Sequence, residues 1–145
     1  MSTRSRLFII LAIIALVAVS CWFWLKPNHL ITDYQTTQYS LNGKTFKLLV
    51  ADTAQKQQQG LMHIRSLPNA DGMIFYFDDK RKRLFWNKNT HFDLQLYWIA
   101  DQQIIGTAYL PSIARTIETV KVFSPAPADT VIEVILQNEG TNDNS

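Results

Sequence analysis

Gly72-Met73-Ile74-Phe75-Tyr76-Phe77 is an apolar run too short for a stable helix and rich in residues that favour strands. After the charged stretch Asp78 to Arg83 comes a second such run, Leu84-Phe85-Trp86, closed by the polar cluster Asn87-Lys88-Asn89-Thr90. Two apolar segments joined by a charged loop predict a strand pair around which the rest of the chain is arranged. On this reading, Asp78 to Arg83 is a solvated hairpin loop. Its cations could touch anionic lipid headgroups, but its two aspartates partly offset them, and a plain loop accounts for it.

The flanking segments follow the same period. Asn42-Gly43 readily takes the positive φ values of a tight hairpin turn, so Gln38–Leu41 and Lys44–Val50 are expected to pair, with Phe46, Leu48 and Val50 on the buried face. Asp52, with Gln55 three residues on, is expected to cap a short polar helix over Ala54–Gln59 that Gly60 ends. Leu94–Ala100 reads as a strand, Asp101-Gln102-Gln103 as its turn and Ile104–Leu110 as its partner. Val120–Phe123 and Thr130–Leu136 complete about seven short strands. The expected fold is mainly β (α+β), a small barrel or sandwich with one short helix.

The N-terminal segment is of another kind. Leu7 to Leu25 is apolar except at Ser20, and as a helix of about 1.5 Å per residue it would span roughly 28 Å, close to a bilayer core. Arg4 and Arg6 precede it and Trp22, Phe23 and Trp24 end it, which places the N-terminus in the cytoplasm and the domain outside. Three readings compete: an uncleaved anchor, a cleaved signal, and a lipoprotein acylated at Cys21 after Val17-Ala18-Val19-Ser20. The bulky apolar residues after Cys21 favour the anchor, and all three export the domain. The expected order is therefore a cytoplasmic stretch 1–6, a transmembrane helix 7–25, a linker 26–37, a β-rich domain 38–140 and a tail 141–145. The expected location is a bacterial inner membrane, with the domain in the periplasm or outside the cell.

Composition narrows the function. A formal net charge of +2 over 145 residues is too small to argue for nucleic acid. Cys21 is the sole cysteine, so the domain has no disulfide of its own. His29, His63 and His91 are scattered, no closed metal-ligand spacing exists, and no cofactor or metal is expected.

Three candidate sites emerge. Trp86, Lys88, Asn89 and Thr90 place a flat ring, a cation, an amide and a hydroxyl in one small area, a mixture suited to a sugar or peptide. The competing reading is that Asn89 and Thr90 close their own turn and Trp86 is core. Glu133 shares its strand face with Val131 and Ile135, so it is either an acid of raised pKa or a carboxylate satisfied by Lys88 or backbone donors. Asp52 is the third, with helix capping as its simpler role.

Several motifs recur in a characteristic order: Val50-Ala51-Asp52-Thr53, Gly60-Leu61-Met62, Ser66-Leu67-Pro68, Asp71-Gly72-Met73-Ile74-Phe75, Phe85-Trp86, Lys88-Asn89-Thr90 and Ile132-Glu133. As a series they resemble the bacterial and archaeal family catalogued as domain of unknown function 192, over about Lys44 to Gly140. The resemblance implies a compact, mainly β domain behind an export signal, and no particular activity, cofactor or catalytic residue. The chain departs from the family pattern at Gln57, where relatives have Arg, at Asn87, where they have Met, at Asp93, where they have Pro, and at Gln95, where they have Asp. Gln95 thereby joins the candidate ligand-binding residues. The expected function is a membrane-anchored binding or assembly module for an envelope glycan, peptide or protein. The alternatives are a hydrolase of an envelope polymer using Glu133 and Asp52 as acid and base, and a degenerate family member kept for its fold.

Overall fold

A computed structural model of the chain describes residues 33–136. The expected membrane segment 7–25, Cys21 and the tail lie outside the described residues. Among the described residues no helix is long and apolar enough to cross a membrane.

Among the described residues eight strands form: β1 (Thr36–Leu41), β2 (Lys44–Ala51), β3 (Gly72–Arg81), β4 (Leu84–Trp86), β5 (Leu94–Ala100), β6 (Gln103–Leu110), β7 (Lys121–Phe123) and β8 (Ala128–Ile135). One short helix, α1 (Ala54–Gln59), and a 3-10 turn at Ile113–Arg115 complete the described elements. The fold is mainly β, as expected, but it is not a closed barrel. Six strands make one open sheet in the order β1-β2-β3-β8-β5-β6, and β4 pairs with β7 in a separate ribbon.

Turn chemistry sets the local pairs. Asn42 and Gly43 take φ of 50° and 80°, and β1 pairs antiparallel with β2 across them. Asp101 and Gln102 take φ of 50° and 64° and join β5 to β6 in the same way. The β2–β3 pair is parallel. A two-residue turn cannot connect parallel strands, so the chain between them makes a crossover that carries α1.

The expected β3–β4 hairpin does not form. β3 lies inside the sheet with β2 on one side and β8 on the other, so both of its edges are occupied before β4 begins. Asp78 to Arg81 continue β3 through an irregular stretch instead of looping out, and β4 turns away to pair with β7.

Alternation gives the sheet two apolar faces. Phe46, Leu48, Ile74, Ile99, Ile132 and Val134 pack on one, together with Leu41. Met73, Phe75, Val131, Leu96 and Trp98 face the other way, and the ribbon covers part of them through Phe85. The Phe85 ring stands edge-on to Phe75 at 4.9 Å and to Trp98 at 5.4 Å.

Candidate functional site

A cavity of about 430 Å³ opens where α1, the end of β3 and the ribbon meet over the second face of the sheet. Phe75, Phe77, Phe85 and Trp86 supply rings, Arg81 and Lys82 cations, Gln57 and Thr90 neutral polar groups, and Glu133 the only carboxylate among the described residues of the lining.

Glu133 reaches it from β8, where its register neighbours are Met73 on β3 and Leu96 on β5, both fully buried. Among the described residues no donor or ion-pair partner meets its carboxyl group, and Lys88 does not pair with it, contrary to one sequence expectation. Burial without a counter-charge pushes the carboxyl up to about 8, so at neutral pH it is mostly a protonated acid that can donate a hydrogen bond into the cavity.

Trp86 is half-exposed at the rim, with the Lys88 ammonium 5.6 Å from its ring centroid. Thr90 lines the cavity too, but its hydroxyl donates to the Lys88 carbonyl at 3.3 Å, and its amide donates to the Asn87 carbonyl at 3.0 Å. Asn89 sits at φ 53°, its carbonyl accepts from the His63 amide at 2.8 Å, and its side chain meets the His63 ring at 3.3 Å. The turn thus consumes much of the polarity of Asn89 and Thr90.

Gln95 does not join the site. It pairs in register with Val134, one residue on from Glu133, and so points to the opposite face of the sheet, where its amide donates to the Ala108 carbonyl at 3.1 Å. Asp52 is also apart from the cavity lining. It does not cap α1: the helix begins at Ala54, which makes Thr53 the capping residue, its hydroxyl accepting from the Lys56 amide at 3.3 Å. Asp52 instead pairs with the Lys56 ammonium at 2.8 Å, and that hydrogen bond holds its carboxyl below the usual range.

Three buried polar residues, of which Arg83 lines the cavity, escaped the sequence reading as structural anchors. Arg83, expected in a solvated loop, is 5% exposed. Its Nε donates to the Ala128 carbonyl at 3.0 Å, its Nη2 to Asp79 Oδ1 at 2.8 Å and also to the Asp79 carbonyl, and the guanidinium lies 3.8 Å from the Phe77 ring centroid. Its hydrogen bond and charge hold the Asp79 carboxyl below the usual range. Asn87 is fully buried; it donates to the Pro111 carbonyl at 2.9 Å and the Thr116 hydroxyl at 3.0 Å and accepts from the Val120 amide at 2.8 Å. It therefore ties the ribbon to the 111–120 connection. Asp93 accepts from the Ser112 amide at 2.8 Å and pairs with Arg115 at 3.0 Å. The departures from the family pattern at Asn87 and Asp93 were the available signals among these.

His91 is pulled below the ordinary histidine value by burial and by the nearby charges of Arg65 and His63. Among the described residues no three His, Cys, Asp or Glu side chains gather as a metal site.

Comparison with known proteins agrees with this architecture. The family model DUF192, described as "Uncharacterized ACR", matches residues 37–141. A Sinorhizobium meliloti protein of solved structure, described as a proposed transcription regulator, is 27% identical over 70% of this chain and 79% of its own, with a TM-score of 0.54. A Novosphingobium aromaticivorans protein of unknown function shares the fold with a TM-score of 0.52 at 18% identity, over 76% of this chain and 87% of its own. No curated protein matches.

Proposed function

The chain belongs to the DUF192 family, and from that premise we propose that its cavity is the ligand site of a membrane-held, extracytoplasmic binding module for an envelope glycan or peptide. Export and anchoring by residues 7–25 are part of the proposal and rest on their apolar length and flanking arginines. The observation that carries the ligand reading is Glu133: a buried carboxyl without a partner among the described residues, its pKa raised by burial, that borders a ring-lined cavity. A cavity of about 430 Å³ is of the size that takes a sugar ring or a short peptide segment. Trp86 at the rim offers a stacking face, and Glu133 offers a donor that a hydroxyl or carbonyl oxygen can accept.

The hydrolase alternative needs a second carboxylate near the first. Among the described residues Glu133 is the only one in the cavity lining, and Asp52 is engaged by Lys56, so binding is the reading the geometry favours.

The test is thermal unfolding of the full chain in detergent against a panel of envelope sugars and muropeptides. A ligand at about one hundred times its dissociation constant stabilises by about 2.7 kcal/mol and should raise the midpoint by roughly 10 °C. Trp86→Ala and Glu133→Leu, which removes the donor, should each abolish that shift. A shift that survives both changes removes the cavity from consideration.

A further inference from the structure

The β4–β7 ribbon has an outward face that the cavity does not use up. Antiparallel partners point the same way, so Leu84 and its partner Phe123 share a face with Trp86 and its partner Lys121, while Phe85 and Val122 turn inward. Leu84 is 44%, Trp86 43% and Phe123 63% exposed, an apolar cluster on the part of the fold least able to hide it. Cations ring it. Lys121 stands opposite Trp86, Lys88 lies over the Trp86 ring, and Lys82 lines the cavity beside Leu84 and Trp86. Among the described residues none of these three lysines has an acidic partner.

We infer that this face docks on an anionic lipid bilayer, with Leu84, Trp86 and Phe123 entering the headgroup boundary and the three lysines lying among the phosphates. Aromatic and aliphatic tips surrounded by unpaired cations are the combination an anionic membrane interface accepts. A second copy of the chain fits poorly, because a two-fold contact on this face would bring its lysines against themselves. Three side chains are also a small area for a stable protein interface, whereas shallow insertion needs no more. The inference shares with the proposed function the location of the domain and the Trp86 ring at the cavity rim, so its test reads Phe123, which is not part of the cavity lining. Residues 26–32 between the apolar run and Asp33 reach at most about 25 Å, which under that location keeps the domain close to lipid.

Nitroxide labels on the full chain test it, in phosphatidylcholine vesicles with and without phosphatidylglycerol. Cys21, the sole cysteine, reports the apolar run; Phe123→Cys and Gln102→Cys, each with Cys21→Ser, report the ribbon and the β5–β6 turn. The expected result is that the label at 123 loses access to a water-soluble relaxation agent only when phosphatidylglycerol is present, while the label at 102 keeps it. Joint replacement of Lys82, Lys88 and Lys121 by Gln should restore access at 123 and leave the Cys21 signal unchanged. A label at 123 as accessible as that at 102 overturns the inference, and so does protection at 123 that grows with protein concentration without lipid. A water-accessible label at Cys21 would instead count against the proposed location, leaving the result at 123 to decide the ribbon.

Discussion

A Cβ placed on Gly72 would fall 1.9 Å from the carbonyl oxygen of Glu133. Gly72 starts β3 opposite Val134, so the two strands approach there with no room for any side chain, and the approach fixes the depth at which Glu133 sits. Gly72→Ala must push β8 away, because the obstructing atom is backbone and has no rotamer to give. We expect a loss of about 3 kcal/mol or more by urea denaturation. Gly106→Ala is the control: its Cβ would meet the exposed Pro125 ring at 2.8 Å, and a ring can shift, so the loss should be clearly smaller.

Glu133 links folding to pH. Its carboxyl is raised from 4.5 to about 8 in the folded protein, so between those values the folded state holds a proton that the unfolded chain has released. Its contribution is fully present below about 4.5 and is lost as pH rises through about 8. At about 1.36 kcal/mol per unit, the loss has a ceiling of about 5 kcal/mol. Glu133→Gln, which stays neutral, should flatten the slope between those limits and be more stable than the parent at pH 9, as urea midpoints across the range would reveal.

Arg83 should behave as a core residue despite its charge. Arg83→Met keeps much of the apolar stem but leaves the Ala128 carbonyl and Asp79 without their donor, at an expected cost of about 2 to 3 kcal/mol. Arg83→Lys should recover little, since one ammonium cannot serve both the Nε and Nη2 acceptors. Lys82→Ala, one residue away and exposed, should change the unfolding midpoint by less than about 0.5 kcal/mol. Equal effects at the two positions would contradict the buried guanidinium.

Helix α1 offers a test of its start. Thr53→Ala should cost about 1 kcal/mol through the lost cap on the Lys56 amide, whereas Asp52→Asn should leave the melting midpoint essentially in place. The opposite ranking would return the cap to Asp52.

Turn-forming dipeptides and strand alternation were readable because both act over a few residues. Asn42-Gly43 and the Asp101-Gln102 turn place four strands correctly from local chemistry alone. What local chemistry does not carry is which distant strand arrives beside β3, and so the apolar runs at 72–77 and 84–86 suggested a hairpin where the chain has a sheet interior and a separate ribbon. Arg83 was misread for a related reason: its burial depends on the Phe77 ring and on a carbonyl 45 residues away. Trp86, Thr90 and Glu133 were legible as unusual and do line one cavity, while Gln95 fell on the wrong face by the parity of a single position.

The place of β8 in the sheet has a consequence for folding. β8 is the last of the described strands in chain order, yet it lies between β3 and β5 at the centre. Until it is in place, the β1–β2 and β5–β6 hairpins can close, but β3 and β5 each hold an open apolar edge with nothing to fill it. A folding chain at that stage presents two templates for intermolecular strand pairing, so the interval before β8 docks is when it is most exposed to aggregation. Docking also takes Glu133 out of water, which makes the step that ends this vulnerability harder in alkaline surroundings, where the carboxyl must pick up a proton or enter charged.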